Sequence, residues 1–214
     1  MDTRTLVVVL AATVFGTLAW RWLRAGHYRR DDEGGPLPRH LWVPALAPFV
    51  GLVVALGLAD RHWTTLLAPL VLAAAGLVLA AIDADVHRLP NAITLPLVPV
   101  QAVLLTVASA VTGDWGALSR AGLAAVLVGG GTVLLAFALF GRSIGMGDAK
   151  LMVSIAPTLA WLGWSQLAVG IWLGFVIGGI AALALLLTRK ASRTTQLAFG
   201  PYLVAGAVLA LALA

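Results

Sequence analysis

The sequence predicts an all-α protein, a polytopic bundle of transmembrane helices. Of its 214 residues, 61% are hydrophobic and only 11% are charged, whereas a soluble domain is about half apolar and about a quarter charged. The mean hydropathy is +0.99. The apolar residues fall in long runs separated by short polar segments. This pattern places the chain in a lipid bilayer, where helices satisfy their own backbone hydrogen bonds.

Eight apolar runs are long enough to span the bilayer once tilt and short ends are allowed for. We therefore expect about eight helices, with a range of six to eight. The sixth run is short, and Pro157 interrupts it. No polar segment is long enough to separate two domains, so residues 1–214 are interpreted as a single integral membrane domain. The runs cover residues 5–20, 41–59, 66–82, 92–111, 121–140, 151–162, 167–187 and 197–214.

The lysines and arginines predict the orientation of these helices. Eleven of the fourteen lie in the polar segments at the ends of the first, third, fifth and seventh runs, and the other side has Arg4, Arg61 and Arg120. Loops on the cytoplasmic side of a membrane are enriched in Lys and Arg. The first run is followed by its positive charges, the reverse of a signal peptide. We expect a retained first helix with the N-terminus outside the cytoplasm.

Several partner classes are disfavoured by composition. The net charge is +5, but nucleic-acid binding needs a basic face or an aromatic–basic alternation, and here the basic residues lie in short loops. The chain has no cysteine, which excludes disulfides and cysteine-ligated zinc. Its four histidines are scattered without ligand spacing. We predict no nucleic-acid partner, no metal and no cofactor.

Two aspartates at the ends of predicted helices form the candidate site. Asp83 follows the third run directly, and Asp148 precedes the sixth run within a segment that contains Gly145 and Gly147. Two crossings separate the acids, so the chain returns to the same face. Two carboxyls that share a proton can activate water and polarise a carbonyl, which hydrolyses a peptide without a metal. The glycines suit a backbone that approaches a substrate or adopts unusual angles.

Neighbouring residues leave structural alternatives open. Asp148 could be the N-cap of the sixth helix. Asp85 is a further acid near Asp83, although it points elsewhere if the third helix continues. Lys150 could tune the site or could be an interfacial lysine that extends toward the headgroups.

Three segments together resemble the type IV prepilin peptidase family, which are membrane aspartic proteases of the GxGD kind. The first is Ile82-Asp83 followed by the run from Arg88 to Pro96, RLPNAITLP. The second is GMGDAKL at residues 145–151, and the third is AFGPYL at residues 198–203. Their order and spacing match the family over roughly residues 66–210, which would be the peptidase core.

The resemblance implies an intramembrane aspartic endopeptidase at the cytoplasmic face of the cell's inner membrane. Its substrates would be prepilin or pseudopilin proteins, whose short basic leader is removed after a glycine, just before a hydrophobic helix. Carried over by motif position, Asp83 and Asp148 are catalytic and Asp85 is a secondary candidate. Asn91 is expected to be structural, for example as a cap of the fourth helix. The supporting residues are Pro90, Gly145, Gly147, Lys150, Gly200 and Pro201.

The polar segment 21–40 departs from the family pattern. Bifunctional members carry a cysteine-containing cytoplasmic domain here that accompanies N-methylation, whereas this segment is short and has no cysteine. We therefore expect peptidase activity without methyltransferase activity. The acidic run Asp31, Asp32 and Glu33 could attract a basic leader, but a solvated loop is the favoured interpretation.

Three other functions compete with leader cleavage. A presenilin-like GxGD protease would act on other membrane substrates, but the LPxxIT and FGPY segments argue against it. A transporter could use the aspartates as proton relays, although carriers place such groups near the bilayer midplane and often contain repeats. A catalytically inactive assembly factor is a third alternative, and the presence of both motif aspartates argues against it.

Overall fold

The computed structural model describes residues 2–138, 145–188 and 198–214, and these ranges contain eight helices and no strand. The predicted all-α class and helix number are therefore confirmed. The helices are α1 Thr3–Arg24, α2 Trp42–Gly57, α3 Leu67–Val86, α4 Asn91–Thr112, α5 Trp115–Ala138, α6 Met146–Leu162, α7 Trp164–Leu187 and α8 Gly200–Leu211. A 3₁₀ turn, Trp63–Leu66, leads into α3, and α5 contains a π-helical segment, Ala125–Gly130.

Five of these helices are long and apolar enough to cross a membrane, namely α1, α3 with its 3₁₀ turn, α4, α5 and α7. The helices α2 and α8 are shorter and also apolar. The central helix is α3, because 72% of the most apolar 18-residue stretch of Trp63–Val86 is buried inside the protein, whereas only 17% of the corresponding stretches of α1 and α7 is buried. The chain is thus a multi-pass membrane protein in which a buried α3 is surrounded by lipid-facing helices.

Helix boundaries differ from the predicted runs at polar residues. The fifth helix begins at Trp115 rather than at residue 121, because the side chain of Asp114 accepts a hydrogen bond from the Ala117 amide, 2.8 Å, and caps it. The third continues past Asp83 to Val86 and ends where His87 adopts a left-handed conformation. The predicted residues 139–140 of the fifth run and 197 of the eighth lie outside the described residues.

Small residues bring α7 and α8 together. Gly170, Gly174 and Gly178 recur every four residues on α7, and all three are buried. A Cβ atom on Gly174 would lie 3.3 Å from the Leu203 Cα atom of α8. Glycine at this spacing lets membrane helices approach backbone to backbone. The short α8 is thereby held between α7 and the central α3.

The helix termini group into two ends of the bundle. The C-termini of α1 and α3 lie with the N-termini of α4, α6 and α8, as the side-chain contacts described below show. We call this the carboxylate end, because Asp83 and Asp148 lie there. At the opposite end, Arg4 donates to the Leu58 and Arg61 carbonyls past the end of α2, and Arg120 donates to the Ala160 and Trp161 carbonyls at the end of α6.

Candidate active site

Asp83 lies in the last turn of α3 and is almost fully buried, with 5% of its surface exposed. Its Oδ2 atom accepts a hydrogen bond of 3.0 Å from the backbone N–H of Gly200, the first residue of α8. Helix N-termini present free N–H groups and a positive dipole end to an anion. Pro201 follows at a first-turn position that tolerates a residue without an N–H. The predicted AFGPYL segment thus supplies a donor to Asp83.

Asp148 lies in the first turn of α6, where Gly145 occupies the N-cap position without a side-chain hydrogen bond. The interpretation of Asp148 as the N-cap is therefore wrong, because the helix begins two residues before it. Leu89 packs against Gly147, the residue before Asp148, and against Gly200, whose N–H binds Asp83. The ends of α3 and α6 therefore place the two acids at the same end of the bundle.

Leu89 packs between the two aspartate-bearing regions. It is buried, with 6% exposed. A Cβ atom on Gly147 of α6 would lie 3.1 Å from the Leu89 Cβ atom, and one on Gly200 of α8 would lie 3.5 Å from Leu89 Cδ2 and 2.9 Å from Asp83 Oδ2. Both glycines therefore leave the space that Leu89 and Asp83 fill.

The two glycines of the GxGD segment do not adopt unusual backbone angles. Gly145 has φ −63° and ψ 136°, and Gly147 is not among the residues with positive φ. That part of the prediction is wrong, because close packing is what restricts these positions. A Cβ atom on Gly145 would lie 3.2 Å from Asp148 Oδ2. Glycine here leaves room for the Asp148 carboxylate.

A side-chain hydrogen bond joins the beginning of α4 to α6. Pro90 occupies the N-cap position of α4, and its carbonyl accepts from the Thr94 amide, 3.1 Å. Asn91 is the first helical residue and not the cap, so the capping role expected for it is wrong. Its Oδ1 atom accepts a hydrogen bond of 2.8 Å from Lys150 Nζ. Lys150 therefore bridges two helices at the site instead of extending freely toward the headgroups.

Asp85 belongs to a separate cluster on the last turn of α3. Its carboxylate forms a bidentate ion pair with Arg29, with N–O distances of 2.6 and 2.8 Å, and accepts a hydrogen bond of 2.6 Å from the Tyr28 hydroxyl. Burial and the Asp85 hydrogen bond raise the pKa of Tyr28 to about 12. Because α3 continues past Asp83, the expectation that Asp85 points elsewhere is confirmed.

The polar segment before α2 is docked on the protein rather than freely solvated. Glu33 forms a bidentate ion pair with Arg88, at 2.8 and 2.9 Å, and the Arg88 guanidinium also donates to the Tyr28 carbonyl, 2.9 Å. Hydrogen bonding from Arg88 lowers the pKa of Glu33 to about 2. The expected solvated loop is therefore wrong for Glu33, whereas Asp31 and Asp32 are exposed.

Comparison with known proteins shows the family to which the chain belongs. The family model described as type IV leader peptidase family matches residues 70–183. This chain belongs to that family. Similar proteins include the prepilin leader peptidase/N-methyltransferase of Aeromonas salmonicida, which is 30% identical over 91% of this chain and 64% of its own length. Those of Aeromonas hydrophila and Dickeya chrysanthemi are 31% and 32% identical over 91% and 92% of this chain.

This family member spans about 64% of the length of the Aeromonas relatives it matches. No solved structure is significantly similar to the chain. The family assignment therefore rests on sequence similarity.

Sequence reasoning missed the packing of Leu89 and both ion pairs of the segment before α2. Leu89 lies in the RLPNAITLP segment, between Arg88 and Pro90. Only its place in that segment could have indicated that it belongs to the site. Nothing in the sequence indicates which of five neighbouring arginines pairs with Asp85. The partners in these ion pairs are 55 and 56 residues apart, and only folding brings them together.

Proposed function

We propose that this protein is an aspartic endopeptidase that removes the short leader of prepilin-like or pseudopilin-like proteins, with Asp83 and Asp148 as its catalytic pair. The observation that carries the proposal is the position of Asp83 and Asp148 at the same end of the bundle, both within the residues that the family model matches. Curated relatives named prepilin leader peptidase/N-methyltransferase support the substrate class.

The proposed chemistry needs one ionised and one protonated carboxyl. Two acids close together in a buried site share a proton at lower cost than two negative charges, so the pair acts as a unit. The ionised carboxylate takes a proton from water, whose oxygen attacks the scissile carbonyl, while the protonated carboxyl donates to the carbonyl oxygen. Collapse of the tetrahedral intermediate, with proton transfer to the amide nitrogen, releases the leader.

The surroundings of Asp83 support this role. The Gly200 N–H holds its Oδ2 atom in place, and Leu89 closes one side of the site against both glycine-bearing helices. A carboxylate fixed by its neighbours loses little freedom when it reacts. The supporting roles proposed for Gly145, Gly147, Pro90, Lys150, Gly200 and Pro201 are to build this packed environment.

The proposed location is the cytoplasmic face of the inner membrane, with the N-terminus outside. Seven of the described lysines and arginines belong to the carboxylate end, namely Arg21, Arg24, Arg29, Arg30, Arg39, Arg88 and Lys150. The opposite end has three, and two of these bind carbonyls at helix ends. Positive residues favour the cytoplasmic side, so the asymmetry supports this orientation. Arg142, Arg189, Lys190 and Arg193, which also support the predicted orientation, lie outside the described residues.

We further propose that leader cleavage occurs without N-methylation. The relatives' names include a methyltransferase, but the resemblance associates N-methylation with a cysteine-containing domain, and this chain has no cysteine. The segment at that place is a short docked loop.

The test uses the full chain purified in detergent and a synthetic substrate with a basic leader, a glycine and a hydrophobic helix. Asp83→Asn and Asp148→Asn should each abolish cleavage, by roughly a thousandfold or more, because the shared proton requires two carboxyls. Asp85→Asn serves as the control, since it removes an acid of α3 outside the pair. Cleavage by either site variant at the parental rate refutes the pair. Addition of S-adenosylmethionine should give no methylated product, and a methylated N-terminus contradicts the second proposal.

A further inference from the structure

The segment 25–41, which we call the strap, connects α1 to α2 across the end of α3. Two ion pairs hold it there. One joins Arg29 of the strap to Asp85 in the last turn of α3, and the other joins Glu33 of the strap to Arg88 between α3 and α4. Each is bidentate, the geometry in which an arginine–carboxylate pair is strongest.

Apolar packing anchors the strap as well. The Tyr28 side chain is buried, with 6% exposed, in a small cluster that includes Leu23 of α1, Val43 of α2 and Ile82 of α3. Ile82 directly precedes Asp83. The strap therefore contacts the turn of α3 that carries the catalytic candidate.

Arg88 links the strap to the interior of the site. Its guanidinium uses Nε and Nη2 to bind Glu33 and Nη2 to bind the Tyr28 carbonyl. The next residue is Leu89, which packs against Gly147 of α6 and Gly200 of α8. The strap thus holds the Arg88 side chain, and the side chain of the adjacent Leu89 lies between the two helices.

We infer that Glu33 and Arg88 are positioning residues, which hold Leu89 between α6 and α8 so that Asp83 and Asp148 keep their working separation. The inference rests on the proposed function for its catalytic consequence and on the contacts of Leu89 for its structural one. The strap would thus have a mechanical role, because it positions the aspartates without contacting the substrate.

The state of Glu33 argues for this mechanical role over binding of a basic leader. Both of its carboxylate oxygens are occupied, Oε1 by Arg88 and Oε2 by Arg88 and the Arg30 amide. A leader that bound Glu33 would first have to displace a bidentate arginine. The exposed acids of the strap are Asp31 and Asp32.

Kinetics on the full chain give the first test. Glu33→Gln and Arg88→Gln should lower kcat about tenfold, because small displacements of reacting groups are costly, and should leave KM within about twofold, because no substrate contact is lost. The matched controls are Asp31→Asn and Arg30→Gln, whose exposed side chains form no ion pair with any residue that the structure describes. Both controls should retain parental kinetics.

A disulfide between Leu89 and α6 gives a second test that needs no catalysis. The chain has no cysteine, so Leu89→Cys with Gly147→Cys creates one defined pair. Their Cβ atoms would lie 3.1 Å apart, slightly closer than the roughly 3.5–4.5 Å of a disulfide, so a small displacement allows the bond to form. In membranes treated with copper phenanthroline, the pair should cross-link readily in the parental background. Adding Glu33→Gln or Arg88→Gln should reduce the yield severalfold, whereas Arg30→Gln should not.

The outcomes separate the two proposals. A lower kcat together with a lower cross-link yield supports the positioning role. A rise in KM at constant kcat means that the strap binds the leader, and an unchanged cross-link yield means that Leu89 is held without the ion pair. Either result overturns the inference. If the parent protein does not cleave the peptide while the cross-link still depends on Glu33, the proposed function fails and the structural link remains.

Discussion

The two ends of the bundle use their charged residues in different ways. At the opposite end, Arg4 and Arg120 each reach carbonyl oxygens where a helix terminates. These carbonyls have no partner within the helix, and a cation satisfies them and the negative end of the helix dipole. At the carboxylate end, Arg29 and Arg88 pair with carboxylates that belong to other segments.

The two kinds of contact should therefore have different effects when they are lost. A cap stabilises the end of a helix, so its loss should lower the free energy of unfolding. An ion pair between the strap and the α3–α4 turn fixes one segment relative to another, so its loss should disturb a site while the fold persists. The opposite end also has a very short connection, because Gly163 alone joins α6 to α7. Sequence variation should therefore change activity at one end and stability at the other.

Apart from substitution of the aspartates themselves, the largest effect should come from Gly200→Ala at the carboxylate end. The added Cβ atom would lie 2.9 Å from Asp83 Oδ2, so the aspartate must move, and activity should fall about a hundredfold because alignment of reacting groups is lost. Peptide cleavage by folded protein is the measurement. Gly179→Ala is the matched control, since that position has open space around it. Full activity of the Gly200 variant would show that Asp83 tolerates displacement.

Next in size is Arg120→Gln at the opposite end. Loss of the two hydrogen bonds to Ala160 and Trp161 should lower the free energy of unfolding by about 1–3 kcal/mol. Denaturant titration in mixed micelles measures it, and kcat of the remaining folded protein should not change. Arg61→Gln, at an exposed position of the same end, should have little effect. A fall in kcat without a fall in stability would break the division between the two ends.

A smaller effect should follow loss of the bridge between Asn91 and Lys150. Asn91→Ala and Lys150→Met should each lower kcat about threefold, as expected for one exposed hydrogen bond. Asn91→Asp should retain parental activity, because a carboxylate also accepts from an ammonium group. The double variant Asn91→Ala/Lys150→Met should be no worse than either single variant. Multiplicative losses would mean that the two residues act separately.

The smallest effect concerns the pH dependence of the strap. Burial lowers the pKa of His40, which contacts the Tyr28 hydroxyl near Asp85 and Arg29. Below about pH 6.5 the unfolded chain therefore binds this proton before the folded protein does, and stability falls as the pH falls. His40→Gln should flatten thermal unfolding midpoints between pH 7.5 and 5.5, whereas the exposed His27→Gln should not. Equal slopes for both variants would remove His40 as the cause.

Much of the architecture could be predicted because it depends on local composition. Apolar runs of membrane-spanning length indicate helices directly, and the eight runs correspond to the eight helices within the described residues. Counting the crossings also puts Asp83 and Asp148 on one face. Boundaries were less predictable, since the early start of α5 depends on a single cap at Asp114.

The site could be predicted only where a motif marks it. Asp83, Asp148 and the FGP segment were identified, and the structure brings Asp83 into contact with Gly200. The alternative that Asp148 caps α6 was wrong, because a helix start cannot be placed within three residues from sequence alone. The expected solvated loop was wrong at Glu33, because acids and arginines in a short segment are typical of both an exposed loop and a docked one.

By itself, the sequence determined that the chain is a helical membrane protein with paired aspartates, since hydropathy and crossing number depend only on the order of residues. Only the tertiary structure decided what surrounds the aspartates. Leu89 lies against Gly147 and Gly200, which are 58 and 111 residues away in the printed sequence, and Glu33 pairs with Arg88 across 55 residues. Such contacts depend on how helices pack, because side chains compete for neighbours that become available only once the bundle has formed.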